Sequence, residues 1–182
     1  MEPIHKSAFT ILPRFLSQIL AGDKTCEIRS MNCHSALNCR VFLAASGTGQ
    51  IWGSALVKEV RWASLCDLLE PLALKAHQVP PDELAKYINA DCGGAYCWVL
   101  DRVVALAEPV GFARSAGSCN WVKLEPSLLD TLAAKTLSSL EMMHSVTASE
   151  LLSQMEEEKK KRRKESMAKK PTHKGIIKKI IK

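Results

Sequence analysis

Apolar residues fall in short runs through the first two-thirds of the chain and at helical spacing in the last third. Residues 11–21 form an apolar stretch of helical character that Gly22 ends, at the left-handed position just past a helix that glycine suits. The next segment, Gly22-Asp23-Lys24-Thr25-Cys26-Glu27-Ile28-Arg29-Ser30, has strand character. In an extended chain Glu27 and Arg29 point to one face and Cys26 and Ile28 to the other. Lys24, at the turn, leans over the Glu27 face. Residues 40–46 read as a buried strand, 46–49 as a turn and 51–62 as a long second strand. Gly53 inside that strand marks a bulge or a close backbone approach. A polar-faced helical insert is expected over residues 64–89, its last helix opening at Pro80-Pro81. Strands follow at 95–100, continued over 102–107, and at 119–124. Many short strands broken by glycine-rich turns, with one early helix, predict an α+β fold built on a small mixed β-barrel.

Helices follow. One opens at Pro126, and another begins with a capping-box pattern, Thr147 to Glu150. The second runs into three glutamates and the basic run Lys159, Lys160, Lys161, Arg162, Arg163 and Lys164. Acid and base are spaced i,i+4 there with the acid N-terminal, the favourable order. The last eight residues pair isoleucines with lysines as a short amphipathic patch, too short for a stable helix alone. The expected organisation is a barrel over residues 8–125, a helical extension over 126–155 and a basic, partly disordered tail over 156–182.

Charge sharpens that division. The net charge is +6, yet residues 150–182 alone carry +7 and residues 1–149 carry −1. Binding by the near-neutral globular part must rest on local arrangement, not on bulk attraction. Seven scattered cysteines form no C-x-x-C pair. Cys26, Cys33, His34 and Cys39 match no common zinc module, so reduced, mostly buried thiols are expected and neither metal nor cofactor. No apolar run is long enough for a spanning helix, and the first residues lack a secretory apolar segment. A soluble intracellular protein of the nucleus or cytoplasm is expected.

Gly22-x-Lys24-x-x-Glu27-x-Arg29-Ser30 resembles the signature of the ASCH domain, the activating-signal-cointegrator homology module of the PUA-like superfamily. Gly49-Gln50-Ile51-Trp52-Gly53 is similar to that family's glycine-flanked strand, and Tyr96-Cys97-Trp98-Val99-Leu100 to its aromatic strand. Gly117 through Trp121-Val122-Lys123-Leu124 is similar to its closing strand. Met31 departs from the pattern, standing where cointegrator-type members often carry an aromatic. The resemblance implies a β-barrel with a cleft beside the early helix, lined by Lys24, Glu27 and Arg29, and binding of RNA or DNA. Some compact bacterial members share the G-x-K-T turn and act as amidohydrolases on acylated cytidine. Their motif lysine works with a hydroxyl residue, and Glu27 occupies that position here.

Three functions remain open. The first is nucleic-acid binding, RNA foremost, with Lys24, Glu27 and Arg29 in the cleft and Arg114 and Lys123 at its rim. Phosphate contacts would position the ligand, and base contacts on aromatic or Arg planes would select it. The tryptophans at 52, 62, 98 and 121 are the available aromatics, with a core role as the alternative for each. The second is hydrolysis, with Lys24 and Glu27 as catalytic candidates. No second carboxylate is fixed, although Asp82 and Glu83 lie in the insert, and Cys26 points away from Glu27. The third is an adaptor that reaches a protein partner through the tail. A structural salt bridge in the motif and a solvated charged helix in the tail are the plain alternatives. His34 and His77 are lone histidines with no charge partner in view.

Overall fold

Pro13 decides where the first helix begins. Proline has φ fixed and no N–H to donate, which suits the first turn of a helix. In the computed structural model of the chain, which describes residues 2–89, 91–113, 120–141 and 147–168, helix α1 runs Pro13–Leu20. The residues before it form strand β1 (Ile4–Ile11), of which the sequence pattern assigns Ile11 to the helical stretch. No strand is expected there from alternation, because residues 8–11 are buried on both faces. Past α1 the chain reverses at Gly22, whose φ is +85°, and the N–H groups of Asp23 and Lys24 both donate to the Gln18 carbonyl.

Then come β2 (Cys26–Arg29), β3 (Arg40–Ala45) and β4 (Gln50–Ser64). The insert holds α2 (Leu65–Leu69), α3 (Pro71–His77) and a 3-10 turn at Pro81–Lys86, where a further helix is expected from the sequence. Strands β5 (Gly94–Gly111) and β6 (Trp121–Lys123) complete the sheet, and α4 (Pro126–Glu141) and α5 (Ala148–Ala168) follow. Thr147 and Glu150 form the expected capping box at the start of α5.

The six strands run in the order β2-β5-β4-β3-β1-β6, parallel only between β1 and β3. The α+β class expected from the sequence is what the chain adopts, as a barrel-like sheet that does not close. Strands β2 and β6 are its two edges. Strand β5 is one 18-residue ribbon, not two segments, and its pairing with β4 slips at three places. Such bulges strengthen twist and curl. Gly53 sits at one of them, and a Cβ there would lie 2.3 Å from Leu20 Cδ2 and 2.5 Å from the Val104 carbonyl oxygen. Helix α1 and β5 therefore close on β4 only because that position has no side chain.

The sheet is buried on both faces. Phe9, Ile11, Val41 and Leu43 turn to a core shared with α1, the insert and α5, where Leu151 and Met155 enter it. Ala8, Phe42 and Ala44, one register step away, turn to a smaller core capped by Leu132 of α4. Helix α5 is therefore anchored at its start, and its basic run is the continuation of a packed helix through Ala168. The stem of Lys159 passes Gly47, and the Arg162 guanidinium fills the space over Gly49. The ion pair recorded along the described helix is Lys159–Glu156, spaced i,i+3, in place of the expected i,i+4 set.

Candidate functional site

The turn at Gly22 drops Lys24 into the core. Its side chain is one of the largest fully buried among the described residues. The ammonium donates to the carbonyl oxygens of Cys26, at 2.7 Å, and His77, and lies 3.2 Å from Glu27 Oε2. Three N–H donors thus meet three acceptors. The Phe15 ring centroid is 4.9 Å from Nζ. Glu27, whose side chain is 4% exposed, uses its other oxygen for Arg29, whose Nε and Nη2 both lie 2.9 Å from Oε1. Glu27 and Arg29 share a face of β2, as alternation requires, and Lys24 leans over that face. The three motif charges form one chain, from a buried cation through a buried carboxylate to a cation at the surface.

Arg29 carries that chain outward. Its side chain keeps 19% of its surface exposed. Nη2 donates to the Thr10 carbonyl at 3.1 Å and Nη1 to Asn120 Oδ1 at 3.4 Å, while the guanidinium lies 4.4 Å over the Phe9 ring. Arg29 sits on one edge strand, whereas Thr10 lies on β1 and Asn120 directly before the other edge strand. The side chain therefore bridges the seam where the sheet fails to close. Trp98 of β5 and Trp121 of β6 stack there at 5.9 Å and 23°, and Phe9 packs against both.

A cleft of about 170 Å³ opens at this seam. Phe9, Trp98 and Trp121 give it an aromatic wall; Arg29, Ser30 and Asn120 supply polar groups; Met31, Lys86 and Tyr87 complete the lining. The volume is below the ~300–1,000 Å³ of sites that enclose a whole drug-sized ligand, so it suits one flat ring with the rest of the ligand outside. Met31 stands 53% exposed, and its carbonyl accepts from Trp98 Nε1 at 3.3 Å.

Of the residues expected at the site, Lys24, Glu27 and Arg29 come together, but Arg29 alone of the three lines the cleft. Lys123 is exposed on the same face of β6 as Trp121, outside the cleft lining. Arg114 lies outside the described residues. Lys86, Tyr87 and Asn120 are lining residues that no sequence motif marks. Trp52 is core, and Trp62 is 41% exposed away from the cleft, edge-on to Tyr96. Lys160, Lys161, Arg162, Arg163 and Lys164 are exposed on α5, and Lys159 is half-buried.

Chemically, the buried Lys24–Glu27 pair is fixed charge with no donor left over for a ligand. Glu83 of the insert is taken up by Arg14 and Lys86. A hydrogen bond with Cys97, and then burial, push the Cys26 thiol up, away from the thiolate that nucleophilic attack needs. Among the described residues no three His, Cys, Asp or Glu side chains gather as metal ligands, and the six described cysteines are all free, three of them buried.

His77 joins the insert to the motif. Nε2 donates to the Leu68 carbonyl at 2.9 Å, and Nδ1 accepts the Val79 N–H at 3.0 Å, an arrangement that only the neutral ring satisfies. Burial, aided by the Lys24 charge, lowers its pKa below 6.5. The unfolded chain then binds the extra proton first, so this stability is complete above pH 6.5 and falls as the pH drops toward the lower folded value. Thermal melts between pH 7 and 5 should show that loss, and His77→Gln should flatten it. An unchanged pH slope in the variant would refute the assignment.

No family model matches the sequence, and no curated protein matches it. The fold does match. The crystal structure of ASCH from Zymomonas mobilis aligns at a TM-score of 0.59 and 17% identity, covering 71% of this chain and 94% of that one. A tyrosine-to-phenylalanine mutant of that protein aligns at 0.60 and 18%, covering 72% and 99%. A serine-to-alanine mutant aligns at 0.59 and 16%, covering 74% and 98%. The chain has the fold of these ASCH structures. The solved domain is matched nearly end to end, and the rest of this chain lies outside the match.

Proposed function

We propose that this chain binds nucleic acid, single-stranded RNA foremost, by taking one unstacked base into the seam cleft while the basic run of α5 holds phosphates. The observation that carries the reading is Arg29 lying over Phe9 beside the stacked Trp98 and Trp121, in a cleft sized for one ring. Exposed bases are recognised by stacking on aromatic and Arg planes and by hydrogen bonds to their edges. Asn120 and Ser30 offer such bonds, and Arg29 adds a cation. The ASCH fold supports the reading, since that family is held to bind RNA or DNA. Lys160, Lys161, Arg163 and Lys164 add sequence-independent attraction, as would Lys123 on the Trp121 face of β6. A nuclear or cytoplasmic setting follows from such a ligand.

Fluorescence anisotropy with short single-stranded RNA, duplex RNA and DNA, each at two salt concentrations, tests this. Neutralising Lys160, Lys161, Arg163 and Lys164 to glutamine should weaken binding to every sequence alike. It should also flatten the salt dependence by about 0.7 in log–log slope for each phosphate no longer neutralised. Binding that is flat in salt, or indifferent to both cleft and α5 variants, would overturn the proposal. Turnover of N-acylated cytidine that Glu27→Gln abolishes would replace it with the amidohydrolase alternative.

A further inference from the structure

On the α4 face of the sheet, away from the seam, a groove of about 490 Å³ opens between the strands and α4. That lies within the ~300–1,000 Å³ range of small-molecule sites. Its walls are apolar. Ile4, Phe42 and Val103 come from the sheet and Leu137 from α4, where it is left 62% exposed. One end is charged. Arg40 Nε and Nη2 each lie 2.9 Å from Glu2 Oε2, and Arg102 Nη1 pairs with Glu2 Oε1. One carboxylate is thus held between two guanidinium groups, one oxygen to each, and two cations face a single anion.

Arg40 is fixed in place by its side chain, and Arg102 by its backbone. Arg40 Nη1 donates to Ser54 Oγ at 3.0 Å and to the Arg102 carbonyl at 3.1 Å. Arg102 has φ +46°, a left-handed conformation unfavourable to a residue with a side chain, and its N–H donates to Asp101 Oδ1 at 2.9 Å. Strain of this kind persists only where the surroundings hold it, and it gathers at binding sites. Glu2 is held through its carboxylate and lies outside the strand ladder. It precedes β1, and the chain is next pinned at Pro3, whose carbonyl accepts the Arg40 N–H at 2.8 Å. The Glu2 side chain can therefore swing out without unpairing a strand.

We infer that this groove is a binding site for an amphiphilic monocarboxylate, whose head group takes the seat between Arg40 and Arg102 while its hydrocarbon body lies between the sheet and Leu137. Glu2 is then an internal competitor for that seat. The seat already holds a carboxylate, which favours that head group over a phosphate. The site is separate from the seam cleft and independent of RNA binding.

Isothermal titration of the full chain with dodecanoate, below its aggregation concentration, tests the inference. Saturable binding at one site is expected. Glu2→Gln should tighten it about tenfold by freeing the seat. Arg102→Gln should weaken it roughly tenfold or more, since it removes a charged hydrogen bond to the head group. Leu137→Glu, a change at an exposed position that leaves the core alone, should abolish it. Thermal melts of each variant separate lost binding from lost fold. The absence of saturable heat from both wild type and Glu2→Gln would overturn the inference, as would an unchanged affinity in Leu137→Glu. Equal binding of dodecanol would overturn the carboxylate seat, and tighter binding of dodecyl phosphate would overturn the choice of head group.

Discussion

Lys24→Ala is expected to cost about 3–5 kcal/mol of folding stability, the range for breaking a buried ion pair by removing one partner. At roughly 2–4 °C per kcal/mol for a chain of this size, the melting temperature should fall by about 10 °C. The side chain is fully buried, so the variant leaves a void beside Phe15, two carbonyl oxygens without a donor and Glu27 with Arg29 alone. Lys24→Met fills the void and leaves the polar groups unpaired, so it should recover only part of the loss. Lys24→Met/Glu27→Gln removes both charges and should recover more. Calorimetric melts of the three variants read this directly. A Lys24→Ala protein melting within about 2 °C of wild type would show that the pair adds nothing to stability. The practical corollary is that alanine at position 24 cannot report on ligand binding, because any lost affinity would be confounded with lost fold.

Arg29 and Trp121 are better probes, and they carry the second large effect. Trp121→Leu keeps apolar bulk at the seam but removes the plane that a base would stack on. Stacking on an aromatic side chain contributes about 1–3 kcal/mol per base, so affinity for single-stranded RNA should fall roughly five- to hundredfold. Arg29→Lys keeps the charge beside Glu27 and loses the planar fork over Phe9. It should blunt discrimination between bases while leaving the salt slope as it was. Duplex RNA should bind equally well to both variants and wild type, because its bases are not available to stack. If Trp121→Leu binds single strands as tightly as wild type, the cleft is not the reader. If both variants lose duplex and single-strand binding together, their effect is on the fold.

The Gly22–Ser30 segment was legible because its information is local. A glycine that ends a helix and a four-residue strand with alternating faces place Glu27 and Arg29 together with no knowledge of the rest of the chain. The depth of Lys24 was not legible, because one of its acceptors is a backbone carbonyl 53 residues away in the insert. Lys86, Tyr87 and Asn120 reach the cleft only through the curl of an open sheet, which bulges in β4 and β5 create and no periodicity reports. Strand β1 was hidden for a different reason. Burial of Ala8, Phe9, Thr10 and Ile11 alike leaves no inside–outside alternation to mark a strand, and Ile11 joins the helical stretch that follows. Met31 illustrates the same lesson at the site itself. The aromatic surface at the seam comes from Phe9, Trp98 and Trp121, on strands far apart in sequence.

The ammonium of Lys24 meets main-chain oxygens at two of its three contacts, those of Cys26 and His77. A carbonyl is present whatever side chain its residue carries. As related chains diverge, residues at those two positions can change freely so far as Lys24 is concerned, provided the backbone keeps its path. The insert can likewise grow or shrink beyond its docking point. What such drift must preserve is the lysine, the glutamate and a loop that returns to the same place. In a family alignment Lys24 would show a single side-chain partner, Glu27, and two of its three contacts would be written in shape alone.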